Sequence, residues 1–130
     1  MWQEVSHVVK EVVNSLSPAQ KISAVAVASM GESGVPIDTH GEPTYTSIAW
    51  FDMCSIPQSA YLEQRVGSAR IFRITGLDNN PIFSLSKILW LREHAPDAFQ
   101  KTVKWLSISD YINYKLAHVY ATDYTIASRT

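Results

Sequence analysis

The chain has 130 residues, of which 46% are hydrophobic and 18% charged, with a formal net charge of −1; this is a globular mixture, not a disordered one, and one domain with a real core is expected for the length. The 11 Lys and Arg are scattered along the chain, which argues against an electrostatic nucleic-acid binder. No apolar run approaches the roughly 20 residues that span a bilayer, the N-terminus lacks a signal-peptide core, and the single cysteine, Cys54, excludes an internal disulfide and fits a reducing cytosol.

Trp2, Val5, Val9, Val12, Val13 and Leu16 fall on one helical face, with Gln3, Glu4, Lys10, Glu11 and Asn14 opposite, so an amphipathic helix is expected from about 2 to 16. Ser17-Pro18 ends it. Residues 22–28 (ISAVAVA) read as a short, continuous apolar strand covered on both faces. Gly31 and Gly34 bracket a break, and extended structure resumes over 35–38. Asp38-Thr39-His40-Gly41 reads as a turn, with Gly41 able to take the positive φ of a bulged hairpin, and 44–51 returns as a strand. Helix, strand, then hairpin implies an α/β layer architecture. The first helix looks like a crossover whose preceding strand is missing. That would leave an unpaired edge on the 22–28 strand, and such edges recruit partners, so self-association is expected.

The second half is more helical. One helix is expected over 58–66. A stronger one covers 84–94: Ser84 can cap it, Leu85, Ile88, Leu89 and Leu91 are apolar, and Pro96 stops it. A short helical turn follows over 96–101, then a strand over 103–106. A helix capped by Ser109 or Asp110 runs to about 117. In the final stretch, ATDYTIASRT, Asp123 can cap another helix, which the chain leaves without a C-cap. No internal repeat or low-complexity segment is present.

Familiar enzymatic motifs are absent: there is no GxxxxGK[ST], GxGxxG, GxSxG or HExxH. His7, His40, His94 and His118 lie on separate predicted elements without metal-ligand spacing, and Cys54 has no evident activating partner. Three stretches stand out. In SMGESGV, Glu32 sits between glycines just past a strand end, where open α/β sheets place ligands and where glycine lets a ligand approach the backbone; a plain surface carboxylate in a turn fits the same pattern. In SIAWFDM, Trp50 and Asp52 flank Phe51 at strand period and so share a face. An aromatic plate beside a carboxylate suits a polyol, the ring covering C–H faces and the carboxylate accepting hydroxyl hydrogen bonds. A core tryptophan with a capping aspartate is the alternative. In ATDYTIASRT, Tyr124 can present its hydroxyl to a site, although Asp123 is explained by capping alone.

In order, these stretches resemble the FGGY family of carbohydrate kinases. IAWFDM is similar to that family's I-x-W-x-D-x-R segment. ITGLDNNPIFSLSKILWLREHAP is similar to its T-G followed by a K-x-x-W-L helix and a proline. SISDYINYKL resembles its D-Y-I-x-Y-K-L helix, and ATDYTIASRT its T-D-x-T-x-A-S-x-T segment. The resemblance covers about residues 22 to 130. It implies a partial ribonuclease-H-like, actin-like ATPase domain of α/β class, a mixed sheet with flanking helices. It also implies transfer of the γ-phosphoryl of ATP, with Mg²⁺, to a hydroxyl of a sugar or polyol. By position, Glu32 matches a sugar contact, with Met30 and Gly31 as backbone lining. Trp50 matches the aromatic that packs on substrate, Asp52 the acid that follows it, and Tyr124 a tyrosine that some polyol kinases aim at substrate.

Two departures from the family pattern bear on the substrate. Cys54 stands where the family has the arginine of W-x-D-x-R, and Gly31 where polyol members often have arginine, so two fixed cations are lost. The D-x-G-T-type phosphate loop and the G-x-G-D-type segment with the catalytic aspartate are not encoded. The resemblance therefore implies a single incomplete domain, residues 1–130, of a longer cytoplasmic kinase of gluconate or xylulose type. No catalytic residue and no bound ATP or Mg²⁺ are expected of this piece alone. A non-catalytic sugar-binding module and an inactive truncated product are the competing readings.

Overall fold

A computed structural model describes residues 1–129, so Thr130, the last residue of the final motif, lies outside the described residues. The elements in order are α1 (Trp2–Ser15), β1 (Gly34–Ile37), α2 (Ile56–Val66), α3 (Ser68–Thr75), α4 (Ser84–His94), α5 (Pro96–Lys101), β2 (Lys104–Ser107), α6 (Ile108–Ala117) and α7 (Tyr124–Ala127). The α/β class is as expected. The ladder is an antiparallel pair, β1 with β2, in which Val35 lies opposite Leu106 and Pro36 opposite Trp105.

β1 is the spine of the molecule. All four of its residues are buried. Val35 and Ile37 join Tyr111 and Ile112 of α6 in the core, with Trp2 and Val5 of α1, Val27, Leu106 and Ile108 packed around them. Fully burying a side chain such as Ile37 contributes about 1.5–3 kcal/mol. Gly34 is required where it stands, because the Trp105 indole lies against its backbone where a Cβ would project.

Two expected strands are not formed. Residues 22–28 lie outside the ladder; a strand is defined by its pairing, and an apolar run cannot supply its own partner. The 44–51 segment joins β1 in one isolated bridge, Ile48 to Gly34, and a second, Pro43 to Ile37, lies just ahead of it. Pro43 has no N–H to give a ladder. Trp50 and Phe51 then belong to a turn, so Trp50 and Asp52 do not alternate along a strand. The turn at residues 38–41 is as expected, with Gly41 at φ 78 and Asp38 Oδ1 accepting from the His40 and Glu42 amides at 2.8 and 3.0 Å.

Caps differ in detail. Ser84 is the first residue of α4 and is buried; Phe83 occupies the cap position without a side-chain bond. For α6 the cap is Ser107, whose Oγ accepts from the Asp110 amide at 3.1 Å, and not Ser109 or Asp110. Asp123 caps α7 as expected, accepting from the Thr125 and Ile126 amides at 2.7 and 3.0 Å. α3 was not anticipated; it starts directly after Gly67 (φ 84) and ends at Gly76 in the left-handed region. Among the described residues no helix is long and apolar enough to cross a membrane.

Candidate functional site

The loop entering β1 and the turn following the Ile48 bridge meet beside α4. Glu32 takes φ 63, a left-handed conformation that costs a non-glycine residue of order 1–3 kcal/mol and so marks a place where surrounding contacts dictate the backbone. Its carboxylate Oε1 accepts from Arg129 Nη1 at 2.6 Å, with the Glu32 side chain 10% exposed and that of Arg129 52%. Arg129 and Ile126 lie just beyond Gly31, 3.9 and 3.8 Å from where a Cβ would be, so the C-terminal segment lies against the acid loop.

The next residue laces loop to turn, because Ser33 Oγ accepts from the Trp50 amide at 2.9 Å. Trp50 is half-buried, its ring edge-to-face with Phe51 at 5.7 Å. The turn is closed by the Asp52 amide donating to the Ala49 carbonyl at 3.1 Å, and Asp52 Oδ1 accepts from the Cys54 amide at 2.9 Å. Asp52 is exposed and available to solvent.

Beneath both segments lies Lys87, a fully buried side chain from α4. Its Nζ donates to the Ala49 carbonyl at 2.6 Å and to the Glu32 carbonyl at 3.3 Å. Burial pulls the Lys87 ammonium below its ordinary pKa, while Cys54, Asp52 and Glu32 pull the other way. Burial, followed by the Asp52 carboxylate beside it, pushes the Cys54 thiol up to about 11. This thiol is therefore protonated at neutral pH and a poor nucleophile.

The fold thus ties together the segments that carry Glu32, Trp50 and Asp52, with Lys87 bonded to the Glu32 and Ala49 carbonyls between them. Gly31 lines the same loop, while Met30 projects into solvent. Tyr124 stands at the start of α7, on the segment that carries Arg129, but its side chain is 94% exposed. Ser33, Lys87 and Arg129 were given no site role from the sequence, although Lys87 is the lysine of the K-x-x-W-L stretch. Only Lys87 left a signal: Ser84, Lys87 and Leu91 fall at i, i+3, i+7 and are all buried, so a lysine sits on the inward stripe of its helix.

Chemically, two carboxylates and an indole offer hydroxyl acceptors and a C–H stacking face. Two hollows are formed by other residues, the first reaching Arg129, the partner of Glu32. One, about 190 Å³, is largely apolar and is lined by Leu62, Val66, Phe83, Leu85 and Arg129. The other, about 440 Å³, lies beside β2 and is lined by Lys104, Asp110 and Tyr120 among others. None of the six sequence-predicted residues lines either one. Among the described residues no group of three or more His, Cys, Asp or Glu is placed to hold a metal ion.

Comparison with known proteins bears on the family and the fold. The chain is 27% identical to an L-fuculokinase of Haemophilus influenzae over 131 residues, covering 98% of this chain and 28% of that protein. It is likewise 27% identical to a gluconokinase of Bacillus subtilis over 130 residues, 100% of this chain and 25% of the other. The chain thus spans about a quarter of the length of these curated relatives. The crystal structure of a gluconate kinase from Lactobacillus acidophilus superposes with a TM-score of 0.86 at 26% identity, over 99% of this chain and 26% of that one. The fold is that of these sugar kinases, the actin-like ATPase type. The family model for the N-terminal domain of the FGGY carbohydrate kinases matches residues 1–130, and the chain belongs to the FGGY family of carbohydrate kinases.

Proposed function

We propose that this chain forms part of the sugar-recognition surface of a sugar or polyol kinase that transfers the γ-phosphoryl of ATP to a substrate hydroxyl. Residues 1–130 would be a single incomplete domain of that enzyme. The observation that carries the reading is the tying of the Glu32 loop to the turn bearing Trp50 and Asp52, through Ser33 and Lys87, in a chain matched along its whole length by the family model. In this reading the indole of Trp50 covers a C–H face of the sugar, Glu32 and Asp52 accept hydroxyl hydrogen bonds, and Met30 and Gly31 supply backbone lining. Tyr124, free in solvent, swings its hydroxyl toward the bound molecule. Arg129 holds Glu32 in place.

Positioning is a large part of what phosphoryl-transfer enzymes contribute, and it is the part assigned to this chain. The family uses ATP and Mg²⁺. Both are assigned in this reading to the remainder of the kinase. The setting proposed is the cytoplasm, with neither nucleic acid nor membrane as partner and with self-association of the isolated chain.

Calorimetry with gluconate, xylulose, ribulose and glycerol tests the proposal. One of them should bind, and Trp50→Ala should abolish the heat. Silence of the wild-type chain toward all four at millimolar concentration would instead favour an inactive truncated product.

A further inference from the structure

We infer that Lys87 is the positioning residue of this site, its buried ammonium fixing the acid loop at Glu32 against the turn that carries Trp50 and Asp52. The inference rests on the sugar-recognition reading above and names the residue that sets the spacing of its parts.

Burying an ammonium costs several kcal/mol even after relaxation, and an apolar residue of similar volume is often no less stable in such a place. Stability alone therefore does not call for a charge at position 87. What the ammonium does that a methyl cannot is bond to two carbonyls at once. The residues it joins, Glu32 and Ala49, come from two different segments. One carbonyl belongs to the residue held at φ 63. The other also accepts from the Asp52 amide, so Lys87 and the aspartate turn share a single oxygen.

Ser33 Oγ, bonded to the Trp50 amide, makes a second lace one residue further along each segment. The two laces fix distance and rotation together, and α4 provides the rigid base. An ammonium carries three donors; beyond the two carbonyls, the acids Glu32 and Asp52 lie close enough to favour its charge against the cost of burial. Being fully buried, Lys87 touches no substrate and acts only through its neighbours.

The test compares Lys87→Met with the wild-type chain. The variant should fold, since the swap conserves volume and removes a buried charge together with its desolvation cost. Its amide resonances at residues 32–34 and 48–52 should move, while those of β1 beyond Gly34 and of α6 stay in place. Affinity for whichever sugar binds the wild type should fall about tenfold or more, as expected when parts of a site shift by a fraction of an ångström. A lysine with a merely structural role would lower the urea midpoint and leave both the local resonances and the affinity of the folded chain as they were; that result overturns the inference.

If no sugar binds even the wild-type chain, the recognition reading fails by itself, and the resonances still decide the role of Lys87. Should Lys87→Met not fold, the wild type decides. A slowly exchanging Nζ–H signal with contacts to the Glu32 and Ala49 Hα protons supports the tether, and exchange as fast as at surface lysines refutes it.

Discussion

At the scale of single residues, the site is shaped as much by what it silences as by what it presents. Cys54 lies beside Asp52 and near Lys87, and its thiol is pushed from the ordinary 9.0 up to about 11 by burial and by the neighbouring carboxylate. Two pH units correspond to about a hundredfold less thiolate at any pH well below 9. Alkylation by iodoacetamide at pH 8 should therefore run roughly a hundredfold slower in the folded chain than in urea. The sign for stability follows. Above about pH 9 the unfolded chain loses this proton first, so the contribution of Cys54 to folding declines as pH rises from 9 toward 11. Equal alkylation rates in the folded and unfolded chain would show that the thiol is not held as described.

At the scale of elements, β2 runs into α6 without a loop. Ser107 is therefore both the last strand residue and the helix cap. A Ser→Ala change at such a cap costs about 1 kcal/mol. Ser107→Ala should lower unfolding stability by that amount in urea titration, and Ser109→Ala by clearly less; the reverse order would contradict the capping geometry. Sequence reasoning placed the cap two or three residues too late because it ended the strand at 106 and left a connection before the helix where there is none.

Other elements were legible where a local signal determines them: α1 and α4 by apolar periodicity, α5 by its opening proline, α7 by its aspartate. The strands over 22–28 and 44–51 were not, because pairing is a property of two segments. α3 was overlooked, although Ile71, Phe72 and Ile74 do share a face of the short helix between Gly67 and Gly76. The site was half legible. Glu32, Trp50 and Asp52 announce themselves by type, whereas Ser33, Lys87 and Arg129 acquire their roles only through partners 17 to 97 residues away.

At the scale of the whole molecule, the core is concentrated around β1 and α6 and leaves apolar surface uncovered at the other end of α1. Trp2 and Val5 pack on the core, but Val12, on the same predicted face, is 52% exposed, and Val25 in the unpaired apolar segment is 61% exposed. Each square ångström of such surface removed from water is worth about 25 cal/mol, and an apolar segment outside any ladder keeps free backbone groups to offer a second chain. Both drives act in the isolated chain, and both point to pairing between copies through α1 and residues 22–28. In sedimentation velocity the weight-average coefficient should rise with protein concentration, and Val12→Glu combined with Val25→Asp should hold the chain monomeric. Sugar binding should survive that double change, since neither valine belongs to the Glu32, Trp50 and Asp52 group. A wild-type chain that sediments as a monomer at high concentration would rule out this pairing, leaving the recognition surface and its lysine tether to be judged on their own tests.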